Sequence, residues 1–234
     1  MLERVSIVES SGSWVSDTHY PAMVPQPEDG LPTEISRLGR RMHHPRGRTI
    51  VNEGDPVERV FRVVSGVVRT TKLLADGRRQ VLDFVSADDD VLLGDGDTHS
   101  ASIEAVTDVV IVSYPRARLE TLVFADPVAT RWFVAALRGA VQRGARRLEI
   151  LGRKAAHERV AMFLLNRMAG NQRNAATAYI PMSRLDIGDF LGLRIETVSR
   201  EFTRLKAIGC IVETTRSQVA ITDRARLEAI AQPI

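Results

Sequence analysis

One cysteine, Cys210, occurs in the 234-residue chain. That excludes a disulfide framework or a cysteine-ligated metal cluster built within one chain, and it fits a reducing compartment. No run of about 18 apolar residues occurs either, so no transmembrane helix is expected. The opening MLERVSIVESSGSWVSD also lacks an apolar core of signal-peptide length,. The expectation is a cytoplasmic protein with no membrane partner. Spaced metal ligands are missing as well. Neither TIVNEG nor VERVFRVV supplies the His/Glu set that a cupin-like metalloenzyme needs, and His43 and His44 point to opposite faces of a strand. His99 and His157 stand alone. No metal site is assigned and no enzyme is expected.

What is present is 44% apolar and 26% charged residues, enough for a true core and, at this length, for two medium domains,. The net charge of +3 hides an asymmetry. From Arg131 onward there are 18 Lys and Arg against 9 Asp and Glu, so the first 130 residues hold 14 against 20. A basic half joined to an acidic half suits a chain whose second half meets a polyanion.

Residues 1–30, with Pro21, Pro25, Pro27 and Gly30, predict an irregular lead-in,. LPTEISRLGRRM predicts a short helix capped by Thr33, with Ile35, Leu38 and Met42 on one face. Between residues 46 and 114 the β-branched runs TIVNEG, VERVFRVVSG, VVRTTKLL, RQVLDFV, ASIEAV and DVVIVSY are punctuated by glycine, and ADGR reads as a hairpin turn,. Short strands at this spacing describe a jelly roll or related β-barrel, placed over 31–125. Asp126-Pro127 then opens a helix as N-cap and first residue. Along it Val134, Leu137, Val141, Gly144, Leu148 and Leu151 alternate in spacings of three and four, a heptad seam. Two packings fit: the partner helix of a homodimer, or the chain's own barrel. Arg138, Arg143, Arg146 and Arg147 fall on the other faces. Gly152 marks the end of this 126–152 helix.

From 153 to 234 the pattern predicts a helix over His157–Met168, a strand at AYIPM, two helices about Gly192, a hairpin across TTRSQ and a closing helix DRARLEAIA. Helices followed by a small hairpin make a winged helix-turn-helix, and the whole chain is α+β. Ser183 can cap RLDIGDFL with Asp186 as capping-box partner. Ile187 and Leu191 face inward, Gly188 sits where two helices cross, and Gly192 takes the positive φ of the turn. In the next helix Val198, Phe202 and Leu205 form the buried stripe. That turns Glu196, Ser199, Arg200 and Thr203 outward near the N-terminal end, where a recognition helix touches base edges. Arg200 can donate two hydrogen bonds to guanine O6 and N7, Glu196 can accept from cytosine N4, and Ile195 can meet a thymine methyl. An i,i+4 pair between Glu196 and Arg200 would hold the guanidinium in that pose.

The layout of barrel, long helix and IGDFLGLRIETVSREFTRL over roughly residues 30–230 resembles the CRP/FNR superfamily of bacterial transcription regulators. ETVSR is similar to the FNR/FixK branch, in which Glu, Ser and Arg read a TTGA half-site; Glu196, Ser199 and Arg200 match position by position. The CRP branch carries an arginine where this chain has Ile195. The resemblance implies a homodimeric activator on double-stranded DNA that contacts RNA polymerase through exposed β-loops such as ADGRR or SADDD. The barrel would be of the cyclic-nucleotide-binding type. It also implies that Ser183, Arg184 and Thr197 hold phosphates. Arg194 replaces the usual small hydroxyl residue but could still reach a phosphate.

The family's inputs depart from the pattern. LLGDGDTHSASIEAV has no arginine to neutralise a cyclic phosphate, and the N-terminus has no cysteine cluster for iron–sulfur binding,. DNA binding without a cofactor is the expectation; an unidentified small molecule in the barrel is the alternative. Cys210, at the start of the hairpin, is either a redox site near the DNA or a small buried hydrophobe.

Overall fold

A computed structural model describes residues 31–87, 96–153, 155–169 and 176–232. The lead-in 1–30, most of the NQRNAAT loop, Asp88–Asp90 of SADDD and residues 92–95 of the LLGDGDTHSASIEAV segment lie outside the described residues.

A short helix α1 (Thr33–Leu38) precedes seven barrel strands: β1 (Arg40–His44), β2 (Thr49–Val51), β3 (Arg59–Ser65), β4 (Val67–Leu73), β5 (Arg79–Ser86), β6 (Ser102–Ala105) and β7 (Val109–Pro115). They form two antiparallel sheets of order β1-β7-β3 and β2-β6-β4-β5. Alternate side chains from both, among them Val51, Phe61, Val63, Val68, Val85, Ile103 and Ile111, close over an apolar core,. The opposite residues of β7, Val112 and Tyr114, pack outward against the helices. Period-two alternation thus gives one strand two apolar jobs.

The N-terminal expectation needs correcting. The helix ends at Leu38, its N-cap is Pro32 rather than Thr33, and Met42 lies in β1, paired with Ile111 of β7. Pairing with β7 overrides the weak local helical spacing.

Helix α2 (Arg116–Ala125) leads to α3 (Pro127–Gly152), whose Asp126 cap accepts a hydrogen bond from the Val128 amide with proline in the first turn, as expected. Ala129 and Ala136 are buried, Arg143 is nearly so, and Ile150 is buried again; these four recur every seven residues on the face packed against the chain itself. The seam residues lie on a different face. Val134, Leu137, Val141 and Leu148 are exposed, the last two at 71% and 73%. Two of the arginines read as outer-face residues are not. Arg143 donates to Asp83 of β5 at 3.2 Å, and the Arg147 guanidinium lies 4.8 Å from the Phe190 ring centroid. Burial lowers the Arg147 pKa, which Asp83 partly offsets.

The C-terminal part comprises α4 (Ala156–Ala169), β8 (Thr177–Tyr179), α5 (Arg184–Leu191), α6 (Ile195–Ala207), β9 (Ile211–Thr215), β10 (Gln218–Ile221) and α7 (Arg224–Ala231). Its core is continuous with the barrel's outer wall. Val67, Val81, Phe84 and Val106 join Phe163, Ile187, Phe190 and Phe202 in one apolar cluster. Phe84, Phe163 and Phe190 meet as a ring trio, with Phe84 and Phe190 centroids 5.2 Å apart. Among the described residues no helix is long and apolar enough to cross a membrane.

Candidate nucleic-acid interface

Helices α5 and α6 form the helix-turn-helix, and the turn between them depends on two glycines. Gly192 ends α5 in the left-handed region at φ 66°, which an L side chain occupies at a cost. A Cβ on Gly188 would stand 2.6 Å from the Leu193 carbonyl oxygen. Gly188 therefore admits the turn's backbone itself, rather than a crossing helix.

Ser183 caps α5 in the expected capping box. Its hydroxyl accepts from the Asp186 amide at 3.1 Å and donates to the Asp186 carboxylate at 2.8 Å. That donation commits the hydroxyl proton, so a phosphate at Ser183 competes with the cap.

Along α6, Val198, Phe202 and Leu205 are buried as predicted. The opposite face exposes Ile195 (40% exposed), Glu196, Ser199, Arg200 and Thr203. The predicted ion pair is absent: among the described residues Glu196 and Arg200 are not joined by a salt bridge. Both are solvent-exposed, where holding two long side chains together gains little. Glu196 instead sits in the first helical turn, where the dipole favours a carboxylate. Arg194 is the N-cap residue but makes no side-chain cap bond; the Thr197 and Val198 amides reach its carbonyl at 3.0 and 3.1 Å. Arg194 is exposed, whereas Thr197 is half-buried.

Arg184, at the first position of α5, stacks on Phe202 with its guanidinium carbon 3.4 Å from the ring centroid and pairs with Glu213 of β9. Glu213 also accepts from Lys206 Nζ at 2.9 Å. Burial lowers the Arg184 pKa, partly offset by Glu213, while Lys206 and then Arg184 hold the Glu213 carboxyl below its usual value.

Beneath the interface, Asp186 does more than cap. Only 7% of its side chain is exposed, and it takes Arg69 Nη1 of β4 at 2.7 Å and Arg79 Nη2 of β5 at 2.6 Å. Arg69 also holds Glu104 at 2.7 Å, and Arg79 also holds Asp189 at 2.7 Å. The ADGRR turn therefore spends its second arginine on the helix-turn-helix. Its exposed Arg78 is paired with Asp76. Sequence reasoning missed Arg69, Arg79, Lys206 and Glu213. Asp186 and Arg79 are 107 residues apart, and no local pattern signals such a pairing.

Cys210 is fully buried ahead of β9, and burial raises its thiol pKa. A buried thiol with little thiolate character is a poor redox site, which favours the packing reading over the redox one.

In the barrel, the described part of the LLGDGDTHSASIEAV segment contributes Asp97, Thr98, His99 and serines with no arginine or lysine, beside the apolar cluster of the core.

Comparison with known proteins agrees with this architecture. The cyclic nucleotide-binding domain matches residues 41–126 and the Crp-like helix-turn-helix domain matches residues 158–230. The chain is 33% identical to the nitrogen fixation regulation protein FixK of Bradyrhizobium diazoefficiens, over 99% of each chain. It is 32% identical to the transcriptional activatory protein AadR of Rhodopseudomonas palustris, over 85% of this chain and 84% of that one. The structure of FixK2 from Bradyrhizobium japonicum superposes with a TM-score of 0.76 at 35% identity, covering 84% of this chain and 98% of that one. These relatives are transcription regulators, not enzymes.

Proposed function

The chain belongs to the CRP/FNR family of transcription regulators, and from that premise we propose that it is a homodimeric activator reading a TTGA…TCAA palindrome without a small-molecule cofactor. The observation that carries the proposal is the exposed N-terminal face of α6, which presents Ile195, Glu196, Ser199 and Arg200 together while its other face is buried.

With Arg200 uncommitted to Glu196, its guanidinium is available for guanine O6 and N7. Glu196 accepts from the cytosine amine, and Ile195 packs on a thymine methyl. Arg184, Arg194 and Thr197 take phosphates, with Ser183 contributing where its cap allows. The stripe of Val134, Leu137, Val141, Gly144 and Leu148, exposed on α3, with half-buried Leu151 at its end, seats the second copy. Pairing there sets the two recognition helices about 34 Å apart, on successive major grooves. Effector independence rests on the missing arginine in the cassette segment and on the fixed seating of the helix-turn-helix against β4 and β5. RNA polymerase is the expected further partner.

The test is a titration of protein with no added ligand, at one stated salt concentration, against TTGA-N6-TCAA, TGTGA-N6-TCACA and scrambled duplexes. Preference for the first duplex is expected. Weak and equal binding to all three refutes effector-independent reading and turns attention to a ligand in the barrel.

A further inference from the structure

Glu213 is an anion placed among cations. It stands on β9, the first strand of the wing, where α5, α6 and the hairpin meet. One carboxylate oxygen binds Arg184 at the start of α5, and the other binds Lys206 in the last turn of α6 at 2.9 Å. Phe202, itself buried, lies beneath the Arg184 guanidinium. The arrangement leaves the trio partly open to water, with side-chain exposures of 28% for Arg184, 41% for Lys206 and 33% for Glu213.

We infer that Glu213 regulates the strength of the protein's grip on the phosphate backbone, by neutralising one of the two positive charges that Arg184 and Lys206 would otherwise present. The inference rests on the reading of Arg184 as a phosphate contact. Two cations and one anion offer the backbone one net charge instead of two, and part of the Arg184 fork is engaged before DNA arrives. The base-reading residues occupy the other end of α6, so this charge acts on all sequences alike. Phosphate affinity scales with the charges a protein neutralises, at about 0.9 in the slope of log K against log salt for each. The carboxylate therefore sets absolute affinity and salt sensitivity and leaves sequence preference to Ile195, Glu196, Ser199 and Arg200.

The experiment measures binding of Glu213→Gln, Glu213→Asp and Arg184→Ala to TTGA-N6-TCAA and scrambled duplexes between 50 and 200 mM salt. Glu213→Gln should tighten both duplexes, steepen the salt slope of the dimer by about two, at about 0.9 for each subunit, and so change the variant-to-parent affinity ratio about 12-fold across that range. The preference between the two duplexes should not move. Glu213→Asp, which keeps the charge, should retain the parent slope. An unchanged or shallower slope for Glu213→Gln overturns the inference, as does an equal steepening by Glu213→Asp, which would assign the effect to packing. Arg184→Ala separates the two levels of the argument. If it flattens the slope while Glu213→Gln does not steepen it, the role of Glu213 alone fails. If Arg184→Ala also leaves the slope unchanged, the phosphate role of Arg184 fails with it.

Discussion

Replacing Asp186 by asparagine removes one charge and almost no volume from the junction between barrel and helix-turn-helix. In the parent, this carboxylate accepts from Arg69, Arg79 and the Ser183 hydroxyl at 2.7, 2.6 and 2.8 Å. A hydrogen bond to a charged group contributes about 1.5–3 kcal/mol, and breaking a buried pair by removing one partner costs about 3–5 kcal/mol. Here neither arginine is orphaned, because Arg69 keeps Glu104 and Arg79 keeps Asp189. The loss should therefore fall below the buried-pair range, at about 2 kcal/mol, or a urea midpoint lower by about 1 M for a slope of about 2 kcal/mol/M. Ser183→Ala, which removes the cap while leaving both arginine contacts, should cost about 1 kcal/mol. The pH dependence adds a second signature. Burial alone pushes the Asp186 carboxyl up, but the Ser183 hydroxyl and then Arg69 and Arg79 outweigh it, so the folded pKa lies below the ordinary value. Its stabilisation is fully present above the unfolded carboxyl value of about 4 and is lost as pH falls through the lower, folded one. Urea melts of parent and Asp186→Asn should thus converge in acid and differ at neutral pH. A loss no larger than that of Ser183→Ala, with no convergence in acid, would refute the claim that the ionic contacts stabilise the junction.

Three other perturbations have definite outcomes. Arg200→Ala should weaken binding to the TTGA duplex by about 1–3 kcal/mol and leave the scrambled duplex unchanged; a matched loss on both duplexes rules out base reading by this side chain. Leu148→Glu should convert a dimer to a folded monomer in sedimentation, since the side chain is exposed within one chain. It should also reduce palindrome affinity by on the order of 100-fold through lost bivalency; an undisturbed dimer excludes the seam. Cys210 should resist a water-soluble thiol reagent in the native protein and label as the chain unfolds in urea, whereas rapid native labelling would restore it as a redox candidate.

What could be read from the chain follows the range of the forces involved. The barrel strands announce themselves through β-branched runs and glycine turns. The helix-turn-helix does so through the cap at Ser183, the turn at Gly192 and the stripe of Val198, Phe202 and Leu205. All of these are local constraints. Of β1 only the His43–His44 end reads as strand; Arg40–Met42, which read as helix, carry no alternation of their own and become a strand by pairing with β7. The Glu196–Arg200 pair was expected from spacing and did not form, since spacing allows an exposed pair without stabilising it. Arg143 and Arg147 read as outer-face residues of α3 and Arg79 as part of an exposed loop, while Arg69 draws no reading; all four are junction residues. Their partners are set by tertiary packing, at separations of 60 residues for Arg143 and Asp83 and up to 117 for Arg69 and Asp186, which no window of sequence contains.

The apolar cluster shared between the barrel wall and the helix-turn-helix bears on how such regulators can be recombined. A segment cut at 153 and transplanted onto another sensor would carry Phe163 and Phe190 without Phe84 and Val81 to cover them, and Asp186 and Asp189 without Arg79. Exchanging DNA specificity between relatives is then better done by grafting the outer face of α6 alone, residues 195–200, than by swapping the C-terminal module as a unit.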